Sequence, residues 1–352
     1  MENKNLKLFN EVLGRYRRGI DLEIERFFGR KIKETGLISK SAAETIKVLR
    51  EFNLRGGKRA RPVLVIVGYF LAGGKDKKAI LKASLCVELV HNFFLIHDDI
   101  IDRDETRRGK PSLYAFYKKK FGGDLHKGIS FALIAGDISN VLGCQILTES
   151  DFDEKNKTRA LGILNKTIEG TCHGEMLEMF LKEKKNISEG EIESVLRHKT
   201  AYYSFAAPLK IGAALAGGSA RLLEKLERFA LPIGVAFQIQ DDILGIFGSR
   251  EKIGKPICSD IRESQPNLLI FKTIAFTKGN PLKKYLGKQE ISRGDVVAIR
   301  RIVKESGALD YCRAKAEGLI EEAKAIIAKI DMPREEKEFL LGLADFVVRR
   351  EM

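Results

Sequence analysis

Apolar positions recur along most of this chain every three to four residues, a spacing that is typical of amphipathic α-helices. Runs that alternate apolar and polar residues, which would indicate strands, are few. Glycine pairs such as Gly56-Gly57 and Gly122-Gly123 interrupt the pattern, as expected where a turn between helices needs positive φ. The pattern predicts helices over about residues 6–30, 41–51, 58–72, 75–103, 127–149, 155–184, 188–216 and 219–247, with shorter ones after about 264.

These helices predict an all-α fold class, a single large antiparallel helical bundle. Hydrophobicity and charge are spread evenly along the 352 residues, and no Pro-, Ser- or Gln-rich linker separates two halves. We therefore expect one domain that covers residues 1–352.

Cysteine usage and the first residues indicate the compartment. The five cysteines are widely spaced and never form a CxxC pair, which argues against a disulfide framework or a zinc site and favours a reducing environment. The segment "MENKNLKLFNEVLGRYRRGI" has charges where a signal peptide needs an apolar core, and we expect no apolar stretch near the 18 or so residues of a membrane span. The sequence predicts a cytoplasmic protein that is not an integral membrane protein.

The charge balance limits the class of partner. Lys and Arg number 62 against 48 Asp and Glu, a formal net charge of +14 that admits nucleic acid, an acidic membrane surface or small anions. The bases are scattered, without zinc-finger spacing, an aromatic RNA-binding signature or a long basic run. We therefore expect no nucleic-acid partner and favour anionic small molecules.

The stretch "HNFFLIHDDIIDRDETRRGKPS" sets acids and bases directly after an apolar run. Asp98 and Asp102 are four residues apart near the end of a predicted helix, so their Cβ atoms lie on one face, about 5–6 Å apart. Two such carboxylates repel each other unless a cation lies between them. Oxygen ligands without nearby cysteine favour Mg²⁺, which commonly shares its coordination shell with substrate phosphates.

A second acidic doublet, Asp241-Asp242 in "AFQIQDDILGIFG", also follows an apolar helical run. We expect the two acidic helix ends to converge across the bundle as a multi-metal pocket. Bases that suit diphosphates accompany the acids. They are Lys58, Arg59 and Arg61 in "GGKRARP", Arg107 and Arg108 after the first doublet, Lys199 beside Thr200, and Lys255.

Taken together, these motifs resemble the trans-type isoprenyl diphosphate synthases of the polyprenyl synthetase family. "GGKRARP", "VELVHNFFLIHDDIIDRDETRRGKPS", "HKT" and "FQIQDDILGIFG…GKPICSDI" occur in that family's order, over about residues 50–270. The resemblance implies an isoprenoid synthase bundle with a central active-site cavity, a homodimer, and head-to-tail condensation of isopentenyl diphosphate with an allylic diphosphate. Three Mg²⁺ ions are expected when the diphosphate is bound.

The resemblance also implies a role for each matched residue. The expected metal ligands are Asp98, Asp102 and Asp241, and the expected partners of the leaving diphosphate are Arg107, Lys199 and Lys255. Gln238 and the backbone at Lys199 and Thr200 would stabilise the allylic carbocation. The isopentenyl diphosphate site would consist of Lys58, Arg61, His91 and Arg108. Departing pyrophosphate would take the proton, so that no side-chain base is needed.

The length of the prenyl product is expected to depend on Phe93 and Phe94, which lie five and four residues before Asp98. Two aromatic residues here usually accompany a C15 product in the family, so farnesyl diphosphate is favoured and geranylgeranyl diphosphate comes next. Since consecutive residues cannot both lie fully on one helix face, at least one ring is expected in the core.

The sequence departs from the family pattern at several places. The second acidic motif has Gly245 where the first has its i+4 carboxylate. Gln265 and Asn267 stand where the family typically has Lys and Thr or Ser, and Glu175 and Glu178 stand where Gln and Asp are common. Gln265 and Asn267 motivate one alternative, in which the chain is a weakly active or inactive regulatory partner subunit of a heteromeric synthase.

Three other classes fit less well. A di-iron carboxylate bundle needs two Glu-x-x-His pairs, and Glu88 with His91 makes only one. His173-Gly-Glu175 lacks the Pro-Cys-x-x-Cys of the zinc deaminases. A terpene cyclase would not need the second diphosphate site that "GGKRARP" and Arg108 indicate.

Overall fold

Helices account for nearly all regular structure in the computed structural model, which describes residues 4–184, 186–248 and 257–349. The first eight helices are α1 (Lys4–Gly36), α2 (Lys40–Asn53), α3 (Ala60–Leu71), α4 (Lys77–Ala83), α5 (Leu85–Ile101), α6 (Leu113–Lys120), α7 (Leu125–Thr148) and α8 (Glu154–Glu183). They are followed by α9 (Glu189–Val195), a π-helix (Leu196–Ala206), α10 (Ala207–Leu215) and α11 (Ala220–Phe247). The last elements are α12 (Ser259–Arg262), α13 (Leu268–Phe276), α14 (Arg293–Glu305), α15 (Ala308–Ala328) and α16 (Arg334–Val348). The predicted all-α fold class is confirmed.

The strands in the described part of the chain are two residues long. β1 (Thr106–Arg107) pairs antiparallel with β2 (Lys110–Pro111) in a hairpin that follows α5. The periodicity did not predict this hairpin or α6, because both are too short to show a period.

Several predicted helices have different limits in the structure. The helix expected from about 58 begins at Ala60, because Arg59 is left-handed, with φ of 55°. The one expected over 75–103 divides at Ser84, and the one expected over 188–216 contains the π-helix. Pattern reasoning cannot locate such breaks, since helical periodicity continues through them.

The chain forms two compact units, each described here by itself. The first consists of residues 10–164 and 208–219, and the second of residues 1–9, 165–207 and 220–352. The expectation of a single domain stays a prediction.

The first unit is built around α3 and α5. Nine of the twelve residues of α3 are buried, so this helix is core on nearly every side. Gly212 of α10 lies directly against α3, where a Cβ atom would overlap the carbonyl oxygen of Val65. On α7, Ser139 donates a hydrogen bond of 2.9 Å to the carbonyl oxygen of Leu89 in α5. Small residues thus bring these helices close together and fix the position of the acidic end of α5.

The second unit is built around α11, which packs against the π-helix and α15. Gly234 allows the contact with the π-helix, since a Cβ atom there would overlap the backbone of Ala201. The ring of Phe9, near the amino terminus, packs on Phe339 of α16 with centroids 5.2 Å apart. The close approach at Gly234 fixes the π-helix relative to the second acidic motif of α11.

Among the described residues, three segments are long and apolar enough to cross a membrane, judged by length and composition alone. They are Lys77–Ile101, Leu125–Thr148 and Ala220–Phe247, of which 78%, 39% and 67% of the most apolar window is buried inside the protein. The expectation that no stretch has this length and apolarity is therefore wrong. That the chain is not an integral membrane protein stays a prediction.

Candidate active site

The first acidic motif lies at the carboxyl end of α5, in the first unit. Asp102 caps this helix, and its backbone N–H donates to the carbonyl oxygen of Asp98 at 2.8 Å. Asp102 is half-buried and the Asp98 side chain is 24% exposed, whereas Asp99 is fully buried. The adjacent acids therefore differ in environment: Asp98 and Asp102 are partly exposed, and Asp99 is part of the protein interior.

Asp99 holds the arginine that follows the motif. Arg107 Nε donates to Asp99 Oδ1 at 2.6 Å, and Arg107 Nη2 lies 3.6 Å from Asp98 Oδ2 and 3.5 Å from Asp104 Oδ2. Burial raises the pKa of Asp99 to about 6, with Arg107 opposing the shift and Asp98 and Asp104 adding to it. Sequence reasoning missed Asp99, although neighbouring residues on a helix necessarily point in different directions.

A group of bases with one neutral histidine lies in the same unit. His91 is buried, and its pKa is well below the ordinary value because of burial and the positive charges of Arg61, Arg108, Arg107 and Arg59. Arg108 Nη1 donates to the carbonyl oxygen of Gly56 at 2.6 Å. At neutral pH the uncharged imidazole can hydrogen-bond an anion, and the guanidiniums supply the positive charge.

Arg59, from the same basic stretch, has a structural role. Its buried guanidinium donates to Asp21 at 2.8 Å, to Glu88 at 2.5 Å and to the carbonyl oxygen of Asn53 at 2.7 Å. Lys58, which precedes it, is exposed, and Arg61 is half-buried. Because Glu88 binds Arg59, its pairing with His91 does not form half of a di-iron site.

The two aromatic residues before the motif occupy different environments. Phe93 is buried and Phe94 is half-buried, with ring centroids 4.9 Å apart. The Phe93 ring also packs edge-on against His97 at 4.6 Å, and His97 Nε2 lies 3.3 Å from the carbonyl oxygen of Leu133 on α7. Phe93 is thus a core residue, and its ring is in contact with the rings of Phe94 and His97.

The second unit contains Lys199 and Thr200, on the π-helix. A π-helix is rare and often marks a functional site, because its wider turns redirect side chains. Thr200 Oγ1 donates to Gln238 Oε1 at 2.9 Å, and Gln238 Nε2 donates to Asp242 Oδ1 at 2.9 Å. Lys199 Nζ lies 2.8 Å from Glu175 Oε2. The lysine and the glutamine predicted from the motifs thus each have polar partners within this unit.

The second acidic doublet divides as the first one does. Asp241 is half-buried, whereas Asp242 is buried with a pKa well above its ordinary value, because of burial first and then the negative charge of Asp260. Asp260 accepts a hydrogen bond of 2.9 Å from Asn267 Nδ2, and Asn267 Oδ1 accepts one of 2.9 Å from the backbone N–H of Ile270. Asn267 thus caps α13, a role that a Thr or Ser side chain could also fill. Sequence reasoning missed Asp260.

The predicted site residues are distributed over both units. The first unit holds Lys58, Arg61, His91, Phe93, Phe94, Asp98, Asp102, Arg107 and Arg108, and the second holds Lys199, Thr200, Gln238 and Asp241. Lys255 lies outside the described residues. The roles given to these residues stay predictions.

The first unit's acids suit a magnesium ion that is bound jointly with substrate. Asp98 and Asp102 offer carboxylate oxygens from one helix end, partly open to solvent. Among the described residues, no three His, Cys, Asp or Glu side chains are grouped closely enough to hold a metal ion by themselves. This agrees with the chemistry of Mg²⁺, which usually takes one or two carboxylates and completes its shell with water and phosphate oxygens.

Comparison with known proteins decides the family. The model of the polyprenyl synthetase family matches residues 43–303. The chain belongs to the polyprenyl synthetase family. Among its relatives are the geranylgeranyl diphosphate synthase of Methanosarcina mazei, 35% identical over 88% of this chain and 90% of that protein, and the (2E,6E)-farnesyl diphosphate synthase of Mycobacterium bovis, 31% identical over 86% and 82%. A solved geranylgeranyl pyrophosphate synthase of Corynebacterium glutamicum, complexed with isoprenyl diphosphate and magnesium, superposes with a TM-score of 0.90 and 29% identity, over 96% of this chain and 99% of that one.

Family membership confirms two of the predictions made from the motifs. The resemblance to the polyprenyl synthetases is confirmed, and so is the prediction of an enzyme of the prenyltransferase class, since the named relatives are prenyl diphosphate synthases. The farnesyl preference is not confirmed, because the relatives include geranylgeranyl synthases as well as farnesyl ones. The partner-subunit alternative gains no support.

Proposed function

We propose that this polyprenyl synthetase condenses isopentenyl diphosphate with an allylic diphosphate of five, ten or fifteen carbons, giving a short-chain all-trans prenyl diphosphate. The observation that carries the proposal is the composition of the first unit. Asp98 and Asp102, open to a metal ion, lie within eleven residues of His91, which is surrounded by guanidiniums. A metal-bound diphosphate and a second anion are the ligands that these two groups suit.

Asp98 and Asp102 would hold Mg²⁺ against the allylic diphosphate, and Asp241 is proposed as a further metal ligand. We propose that three Mg²⁺ ions are present when the diphosphate is bound. Bound Mg²⁺ would neutralise the negative charge that develops on the diphosphate as the carbon–oxygen bond breaks. Arg107, fixed by Asp99, adds a positive charge to the same leaving group.

Isopentenyl diphosphate would bind to Lys58, Arg61, His91 and Arg108. Exposed Lys58 can reach a ligand that arrives from solvent, whereas Arg108 is anchored to the carbonyl oxygen of Gly56. Neutral His91 would donate a hydrogen bond from its N–H without adding a further charge to the guanidiniums around it. Such a site would bind the anionic diphosphate head group and leave the double bond free to attack.

Lys199 and Lys255 are proposed to contact the diphosphate of the allylic substrate. The hydrogen bond from Thr200 Oγ1 orients Gln238 Oε1. The partial negative charges of Gln238 and of the backbone at Lys199 and Thr200 would stabilise the allylic cation. Because the new carbon–carbon bond forms before the proton leaves, the departing pyrophosphate can act as the base.

We propose farnesyl diphosphate as the main product, because Phe93 is a buried ring fixed by Phe94 and His97. This ring would block further extension of a prenyl chain that reaches it. Geranylgeranyl diphosphate is the second candidate, since relatives such as the Methanosarcina mazei protein carry that name.

We propose that the protein is cytoplasmic and binds no nucleic acid.

We also propose that it forms a homodimer through α7. This helix exposes Phe131, Ile134 and Val141, which are 44%, 60% and 56% exposed and lie at helical spacing. Large apolar side chains in such a row usually mark a surface that another protein chain covers. Analytical ultracentrifugation of the wild type and of Ile134→Glu tests this: a dimer that the substitution dissociates is expected, and a wild-type monomer would refute it.

The direct test is to incubate the purified protein with Mg²⁺, isopentenyl diphosphate and, separately, the C5, C10 and C15 allylic diphosphates. Mass spectrometry then identifies the products. Elongation of any primer is expected, and it would also exclude an inactive partner subunit. No product from all three primers, with a protein shown to be folded, would refute the proposal in favour of that alternative.

A matched pair of variants tests the metal site. Asp98→Ala should lower turnover by about 10³-fold or more, since a ligand to the ion that stabilises the leaving group is lost. Asp331→Ala, at an exposed aspartate between α15 and α16, should turn over at the wild-type rate. Similar rates in both variants would contradict the assignment of Asp98.

A further inference from the structure

Two glutamates on α8 hold the ammonium group of Lys199. Lys199 Nζ lies 2.8 Å from Glu175 Oε2 and 2.8 Å from Glu178 Oε1. The three side chains are 23%, 18% and 13% exposed, in that order, so this pairing is screened less by water than a surface ion pair. A lysine that is expected to bind diphosphate is thus already bound by two carboxylates.

The backbone fixes the lysine close to these acids. Gly174, next to Glu175, lies against the π-helix, where a Cβ atom would come within 2.5 Å of the backbone nitrogen of Lys199. A larger residue would move α8 away from the π-helix. Since Glu175 and Glu178 are one helical turn apart, both reach the same ammonium group from one face of α8.

The two glutamates place two negative charges against the single positive charge of Lys199. Because both carboxylates lie within ion-pair distance of Nζ, they compete with any diphosphate for the same ammonium group.

We propose that Glu175 is a positioning residue that restrains Lys199 and thereby weakens diphosphate binding. The inference rests on the proposed function, in which Lys199 contacts the allylic diphosphate. An ammonium group has three N–H donors, and the two glutamates accept from two directions. With Glu175 uncharged, Glu178 still orients Lys199, but the attraction that a diphosphate must overcome is smaller.

The experiment compares Glu175→Gln with the wild type, using inorganic pyrophosphate with Mg²⁺ as the probe in isothermal titration calorimetry. The dissociation constant should fall about tenfold, as expected when one of two charged partners of Lys199 becomes neutral. Glu321→Gln is the matched control, because Glu321 accepts from Lys324 at 2.9 Å on the exposed surface of α15, and it should leave the constant unchanged. Glu175→Asp, whose carboxylate is one methylene shorter, should shift the constant in the same direction as Glu175→Gln.

A double-mutant cycle shows whether the effect passes through Lys199. In a Lys199→Met background, Glu175→Gln should no longer change the dissociation constant. An unchanged constant in the single variant, or an equal change in the Lys199→Met background, would overturn the inference. Turnover assays separate the two proposals. A wild type without prenyltransferase activity would refute the proposed function. It would not change the result of the double-mutant cycle, because the cycle measures the binding of pyrophosphate and not turnover.

In the active enzyme, Glu175→Gln should lower the KM for the allylic diphosphate by more than it changes kcat. If Glu175 only supported the fold, Glu175→Gln would instead lower the free energy of unfolding and leave KM unchanged. The KM measurement thus separates restraint of Lys199 from support of the fold.

Discussion

The buried ion pair between Arg59 and Glu88 should be among the contacts of the first unit that are most costly to break. Burial alone would lower the pKa of Arg59, but the charges of Glu88 and Asp21 raise it above its ordinary value, so the guanidinium stays charged. Its side chain is 1% exposed, and that of Glu88 is 4% exposed. Among the described residues, Glu88→Ala would therefore leave this buried cation with Asp21 and one backbone carbonyl group as its partners.

The cost follows from this loss of a buried partner. Removing one member of a buried ion pair typically destabilises a protein by about 3–5 kcal/mol, because the remaining charge is uncompensated. Asp21 is the matched control, since it binds the same guanidinium at 2.8 Å but its side chain is 36% exposed. Water can replace Asp21, so Asp21→Ala should cost about 1 kcal/mol or less.

Urea unfolding of the wild type and both variants, followed by circular dichroism, measures these costs. Because Arg59 precedes α3, which carries Arg61, a loosened Arg59 should also raise the KM for isopentenyl diphosphate in Glu88→Ala. If Glu88→Ala costs no more than Asp21→Ala, the reasoning from burial is refuted.

Three further outcomes are expected. Gly212→Ala should destabilise by about 1–3 kcal/mol because its Cβ meets a backbone carbonyl of α3, whereas Gly14→Ala, in open space on α1, should be neutral or stabilising by up to about 1 kcal/mol; thermal unfolding of both variants checks this. Burial would raise the pKa of Glu189, but hydrogen bonds from Lys272, a second lysine and a tyrosine hold it at about 2. The resulting stabilisation, about 1 kcal/mol, is present above pH 4.5 and lost as the pH falls toward 2, so melting curves of Glu189→Gln should converge with the wild type in that range. Phe93→Ala should lengthen the products by at least one C5 unit, and an unchanged product spectrum would contradict the assignment of this ring as the group that blocks extension.

Much of the fold and of the site follows from local sequence. The apolar period is a property of consecutive residues, so it predicted the long helices and the all-α class. The spacing of Asp98 and Asp102 sets both carboxylates on one helix face whatever the surroundings, and the order of the motifs identified the family. The position of these acids at the end of α5 was likewise predictable, because the apolar run stops there.

Other properties depended on contacts between residues that are distant in the chain. The stretch "GGKRARP" has three bases of similar character, and only the tertiary structure distinguishes Arg59, which binds Glu88, from Lys58, which is exposed. The acidic doublets looked uniform, yet packing buries Asp99 and Asp242 and leaves their neighbours accessible. Local sequence cannot encode these differences, since burial is determined by what packs against a residue.

The site around Lys199 shows the same division. The sequence by itself determined that a lysine and a threonine follow a histidine in a helical segment of a prenyl synthase. The tertiary structure decided that this segment is a π-helix and that Glu178, 21 residues earlier, shares the ammonium group of Lys199 with Glu175. The physical reason is that an ion pair depends on the distance between two atoms in space, which the close contact of α8 at Gly174 sets and the spacing along the chain does not.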